Sequence, residues 1–293
     1  MTISERVGHI AIRVPDLDQA VDFYTDVLGL SETVREGQTS YLTCNERHHE
    51  LILIQDEGVR GYEHVALQVP DARTLERARS SAYAAGGELI GPTYDGEPGI
   101  ERAALMRGPD GHMFKLFVGM ESTGPLPDGD RVERFEHVSL KALNLRKSER
   151  FIEMALGFRF SDRLGRTASW WHCEALHHGL AMVLSPRREL SHYAFTAPDL
   201  NAIGRICDRL AKRGQRLIWG PSRHGPGNNL FIYFHDPAGA MIEVCAELAH
   251  MPPDGDYVAR QWTGGLNAIN QWGAPPPPRF ILTGFPIAPS ERA

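Results

Sequence analysis

Short apolar runs rich in β-branched residues alternate along the chain with stretches whose apolar residues recur at helical spacing. His9–Val14 reads as a strand. Pro15-Asp16 breaks it, and Asp16 is placed to cap a helix. Leu17, Ala20, Val21, Tyr24, Val27 and Leu28 then mark one face of a helix over 17–28, closed by Gly29. Strand patterns follow at about 40–44, 49–54 and 63–69, and a second helix over about 72–85 ends at Gly86-Gly87. Strands at about 102–107 and 112–118 complete the set, the last one after the turn Pro109-Asp110-Gly111.

The same pattern then occurs again. Gly8-His9-Ile10-Ala11-Ile12 matches Glu136-His137-Val138-Ser139-Leu140 at an offset of 128, and Leu28-Gly29 matches Leu156-Gly157 at the same offset. Tyr41 to His49 matches Trp170 to His178 at 129, so one residue is inserted. Glu63-His64-Val65-Ala66 faces Ser191-His192-Tyr193-Ala194, and Pro109 to Lys115 faces Pro237 to Glu243, again at 128. Such register across separate blocks means a duplicated module. Helices are expected over about 145–156 and 199–213 in the second copy. Each copy reads as two β-α-β-β-β units, an α+β class. The expected division is 1–120 for the first copy, a Gly/Pro/Asp-rich linker over 121–131, 132–250 for the second copy, and a tail over 251–293. The tail carries Pro275 to Pro278, which favours extended backbone, and Trp262, Trp272, Phe280 and Phe285, which suit packing on the body.

Composition narrows the function. The 293 residues are 42% hydrophobic and 23% charged, ordinary for globular domains with real cores. A formal charge of −6 offers no basic surplus for a phosphate backbone, so no nucleic-acid partner is expected. No apolar stretch approaches the roughly 20 residues that span a bilayer. Met1 to Arg6 carries no export signature, so a cytoplasmic protein is expected. Cys44, Cys173, Cys207 and Cys245 form no CxxC pair and are read as reduced thiols.

Candidate chemistry lies in the second copy. An oxygen-activating metal centre needs two imidazoles and one carboxylate on one face of the ion, with the other face open. His137, His192 and Glu243 supply those types on three separate strands. Side chains alternate along a strand, so His137, Ser139 and Lys141 point one way and Val138 and Leu140 the other. The first copy holds His9 and His64 at the equivalent places but Lys115 where Glu243 stands. An ammonium cannot ligate a dication, so the first copy is expected to be without metal.

These residues make the chain resemble the vicinal oxygen chelate superfamily, and within it the type I extradiol catechol dioxygenases, over about residues 7–250. The resemblance implies two tandem domains, each a pair of βαβββ modules forming a half-open barrel, with iron(II) on His137, His192 and Glu243 of the second. Manganese(II) suits the same ligands. It implies a catecholic substrate with O2 as co-substrate, and a homo-oligomer. Three further residues match in type and order: His178 as the acid–base residue, preferred over adjacent His177 by register, and His224 and Tyr233 on the substrate side. Trp170 is expected to wall the pocket for the aromatic ring, while His172, His235 and His250 are read as structural. Two competing readings are a glyoxalase-type metal-dependent isomerase or lyase and a metal-free small-molecule-binding protein of the same fold.

Overall fold

The computed structural model describes residues 3–252 and 257–289; Met1 and Thr2 at the start, and 253–256 and 290–293 of the tail, lie outside the described residues. The first copy builds one eight-stranded sheet from Arg6–Val14 (β1), Ser31–Glu36 (β2), Thr39–Thr43 (β3), Leu51–Gln55 (β4), Gly61–Val69 (β5), Glu88–Tyr94 (β6), Arg102–Arg107 (β7) and Met113–Val118 (β8). Its strand order is β2-β3-β4-β1-β5-β8-β7-β6, so two four-stranded halves meet at β1 and β5 and the ends stay open.

The second copy repeats this plan with Arg134–Ala142 (β9), Arg159–Leu164 (β10), Ala168–His172 (β11), Leu180–Leu184 (β12), Glu189–Thr196 (β13), Trp219–Arg223 (β14), Leu230–His235 (β15) and Met241–Ala246 (β16). The tail adds Arg260–Trp262 (β17) beside β10 and Phe285–Pro286 (β18) beside β13. The order is β14-β15-β16-β13-β9-β12-β11-β10-β17.

The sequence pattern omits β2 and β6, and their counterparts β10 and β14. β2, β6 and β14 lie at sheet edges, and β2 and β6 are largely exposed, so a two-residue apolar period never develops in them. Pro92 and Pro221 sit inside β6 and β14, which only an edge strand tolerates.

The four longer helices are Leu17–Phe23 (α1), Ala72–Ala82 (α2), Leu145–Met154 (α3) and Leu200–Lys212 (α4). Each starts on an Asp or Asn whose side chain accepts from a backbone N–H three residues on: Asp16, Asp71, Asn144 and Asp199. Such a cap contributes about 1 kcal/mol. The first predicted helix is shorter than its apolar pattern, because Tyr24–Leu28 continues as a π turn before Gly29 closes it at φ 72°. Gly157 repeats that conformation at φ 72°. At each closure the other module threads past: Val132 N donates to Leu28 O (3.0 Å) and Ser4 N to Leu156 O (3.2 Å). A Cβ on Gly29 would meet Arg131 and Asp130 within 2.7 Å, and one on Gly157 would meet Ile3 at 2.6 Å. One continuous apolar core therefore runs through both modules.

Candidate metal centre and substrate cavity

The strands β9, β13 and β16 lie side by side. In their register His137 faces Ala194, and Ala194 faces Glu243. His192 is two residues before Ala194 and shares its face. The residue between His137 and Glu243 in this row is an alanine, whose methyl leaves the side chains on either side free to converge. His137 Nε2 lies 3.1 Å and His192 Nε2 3.2 Å from Glu243 Oε2. One ligand atom from each residue falls within 4.8 Å of the others, and all three residues are buried.

Neighbouring groups fix these side chains. Glu136 Oε1 accepts from His137 Nδ1 at 2.9 Å, and Glu136 is itself held by Thr196 Oγ1 (2.6 Å) and Cys245 Sγ (2.9 Å). A carboxylate only accepts, so Nδ1 of His137 carries a proton, and Nε2 is the nitrogen turned toward Glu243 and left to bind a metal. Asn229 Nδ2 donates to Glu243 Oε1 at 2.9 Å.

The donor set fits a divalent metal. Acceptor atoms converge on one point, and only a cation or a proton makes that favourable. Burial alone would push His137 down, but the Glu243 and Glu136 carboxylates outweigh it and hold its pKa at about 9. Burial opposes ionisation of Glu243 too, yet His137 and the hydrogen bonds from both imidazoles keep its carboxyl well below the usual range. A metal ion bound here would displace that proton.

The first module reproduces the same row: His9 faces Ala66, and Ala66 faces Lys115. His9 Nε2 lies 3.3 Å from His64 Nε2. Glu97 approaches both histidines, but Lys115 Nζ engages its carboxylate at 2.5 Å. Burial, with Lys115 among the neighbouring cations, pulls both histidines below their ordinary pKa.

A cavity of about 420 Å³ opens beside the second cluster, lined by Trp170, His178, His192, His224, Tyr233 and Glu243. Trp170 points into it, whereas Trp171 is buried in the core. Of the adjacent pair, His178 lines the cavity, and its ring centroid is 4.4 Å from that of His137. Burial, then His137 and His177, push its pKa well down, so the ring is neutral. His177 sits behind it, the two Nδ1 atoms 2.9 Å apart. His177 Nε2 is 3.2 Å from Asp162 Oδ2, an ion-pair distance without hydrogen-bond alignment. Asp162 also accepts from Tyr257 Oη (2.8 Å), Arg260 N (2.8 Å) and Trp262 Nε1 (2.7 Å) of the tail.

His224 meets the Ile269 carbonyl through Nδ1 at 2.6 Å and Tyr233 Oη through Nε2 at 2.9 Å. A carbonyl only accepts, so Nδ1 carries a proton, and Nε2 turns to the cavity side, where it meets the Tyr233 hydroxyl. Tyr233 Oη donates to Glu243 Oε2 at 2.7 Å. Burial, then Glu243, raises the Tyr233 pKa well above its ordinary value, so the phenol keeps its proton. Among the histidines read as structural, His172 Nδ1 meets Ser161 Oγ at 2.7 Å.

Sequence reading missed Glu136, Asn229, Asp162 and Phe280. The first three had a usable signal: each is polar where the first copy has a different residue, with Gly8 opposite Glu136 and Val34 in the place of Asp162. Phe280 was read only as one of the aromatics that pack the tail on the body, and the tail has no counterpart in the repeat to place it at the cavity. Its ring closes over His192 and Tyr233, at 6.2 and 4.7 Å between centroids.

The Glyoxalase/Bleomycin resistance protein/Dioxygenase superfamily model matches residues 6–116 and 134–244, and the chain belongs to that family. Metapyrocatechase 2 of Cupriavidus necator is 28% identical over 94% of this chain and 91% of its own length. Homoprotocatechuate 2,3-dioxygenase of Arthrobacter globiformis shares the fold with a TM-score of 0.89, at 24% identity, covering 97% of this chain and 92% of that one. A Mn(II)-bound glyoxalase of Novosphingobium aromaticivorans shares it with a TM-score of 0.88, also at 24% identity, over 98% and 94%. No helix among the described residues is long and apolar enough to cross a membrane.

Proposed function

We propose that this protein is an extradiol dioxygenase, cleaving a catechol ring beside the diol and retaining both atoms of O2 in the product. The observation that carries this reading is the convergence of His137, His192 and Glu243 at the end of a cavity that also receives His178, His224 and Tyr233. His137, His192 and Glu243 would hold iron(II), with manganese(II) as the alternative ion. The bound metal would supply Lewis acidity toward the diol and a common site for diol and O2.

The remaining work falls to side chains. Nε2 of His224 and the Tyr233 hydroxyl, kept protonated, hydrogen-bond the substrate oxygens, Tyr233 turning its proton from Glu243 to the substrate once that carboxylate holds the metal. His178, neutral and facing the His137 side of the cavity, receives and returns a proton during ring opening. Trp170 and Phe280 exclude water from the ring. An isomerase needs none of the His178, His224 and Tyr233 set arranged around a diol.

On this reading the chain divides into a metal-free module over 1–120, a linker over 121–131, a catalytic module over 132–250 and a closing tail over 251–293. The four cysteines are unpaired, which suits a cytoplasmic location. A homo-oligomer is part of the same reading, and light scattering tests it. The function is tested by loading the anaerobically purified protein with iron(II) and following O2 uptake with catechol. A yellow ring-opened product with one O2 consumed per catechol supports the assignment; bound zinc and no O2 uptake after iron loading refutes it.

A further inference from the structure

The ring-cleavage reading leaves the substituent on the catechol open, and the cavity wall addresses it. From the metal-ligand row the floor extends along β9, β12 and β11 in two further rows. Ser139 pairs with Ala181 and Ala181 with Trp170; Lys141 pairs with Val183 and Val183 with Ala168. All six line the cavity. Two residues along a strand advance about 7 Å, so the floor runs on the order of 13 Å beyond His137. The facing wall comes from the tail, where Leu266, Ile269 and Phe280 are apolar.

Among the described residues Lys141 is the one Lys or Arg that lines the cavity, and it is already engaged. Its Nζ donates to the carbonyls of Thr283 (2.5 Å) and Ile281 (3.2 Å) and lies 3.7 Å from Glu189 Oε2. These carbonyls belong to the last turn and the C-cap of the short tail helix Pro278–Leu282 (α5), so the lysine ties the tail down at the far end of the cavity. A substrate carboxylate entering there would find the Lys141 ammonium neutralised and would break the tail's attachment to reach it. An uncharged apolar group would replace water along Ala168, Ala181 and Val183 at no such cost.

We infer that the site selects catechols bearing an uncharged, apolar ring substituent and discriminates against those bearing a carboxylate. This rests on the ring-cleavage reading for the diol end of the ligand.

The test uses the full-length Mn(II)-loaded protein without O2, and calorimetric binding of matched pairs. The ligands are 3-ethylcatechol against 2,3-dihydroxyphenylacetate, and 4-ethylcatechol against 3,4-dihydroxyphenylacetate. The better ethylcatechol is expected to bind at least tenfold more tightly than its carboxylated partner. Leu266→Lys, at a position 45% exposed and therefore tolerant of charge, is expected to narrow that gap severalfold by tightening the carboxylate. Equal or tighter binding of the carboxylated ligands by the parent protein overturns the inference. O2 uptake with unsubstituted catechol is measured separately. Selective binding without uptake would fault ring cleavage and leave the selectivity standing, whereas no binding of any diol overturns both.

Discussion

The Nδ1 atoms of His177 and His178 lie 2.9 Å apart, and those of His48 and His49, their counterparts in the first module, are separated by the same 2.9 Å. Asp162 stands behind His177, where the first module has Val34 in the equivalent place. His177 therefore sets which nitrogen of His178 carries the proton that faces the cavity. His177→Phe is expected to lower kcat by about tenfold or more while KM and metal content hold, and His177→Asn, which keeps a polar atom near Nδ1, to restore part of the loss. Steady-state kinetics with metal analysis decides; equal damage from both variants would mean that His177 only packs.

Glu243 and Lys115 occupy the same position of the repeat, opposite Ala194 and Ala66. Glu243→Ala should reduce bound metal from near one per chain to a small fraction, since two imidazoles alone hold iron(II) weakly. Lys115→Glu should raise the stoichiometry toward two, because His9 and His64 remain aligned and the repelling ammonium is gone. Metal analysis after dialysis reads both. A Lys115→Glu protein that still binds one ion would show that the first module has lost more than its carboxylate.

Tyr233→Phe removes a hydroxyl that donates to Glu243 and reaches His224. Turnover should fall roughly tenfold to a hundredfold, with the metal retained, because the phenyl ring still packs against Trp219 and Phe280. Pre-steady-state mixing under O2 separates this loss from weaker substrate binding.

Stability should depend on pH through Asp236, buried beneath Tyr24 and Tyr193 where the two modules meet. Burial, only partly offset by the hydrogen bond from Tyr24 and the backbone N–H groups of Ala240, Gly239 and Ala238, raises its pKa to about 6. A carboxyl raised in the folded state stabilises fully below its unfolded value near 3.8, and that stability is lost as pH rises through about 6. The change is on the order of 3 kcal/mol. Urea unfolding of Asp236→Asn should gain on the parent by that amount between pH 4 and 7; parallel curves would contradict it.

Much of the architecture was legible because duplication supplied an internal comparison. His9 with His64 and His137 with His192 located the metal-facing strands, and Leu28-Gly29 with Leu156-Gly157 located the helix ends. Edge strands escaped notice because half-exposed chains such as Ser31–Glu36 carry no apolar period. The groups that orient the site are a different case. Glu136 holds the ring of its own neighbour His137, and Asn229 reaches Glu243 on the adjoining strand; each differs from its counterpart in the first copy, but that difference alone does not say which group it will hold. Lys141 looked like one more residue on the His137 face; its attachment to the tail follows from where the last helix comes to rest.

The central claim is ring cleavage with both oxygen atoms of O2 retained, at the cluster of His137, His192 and Glu243. Turnover of a 4-alkylcatechol by the iron(II)-loaded protein under ¹⁸O2, with mass spectrometry of the product, tests it most directly. The account predicts a ring-opened product carrying two labelled oxygens, before any exchange of its aldehyde with water, and none from Glu243→Ala. An unlabelled product, or O2 consumption that Glu243→Ala leaves unchanged, would contradict it.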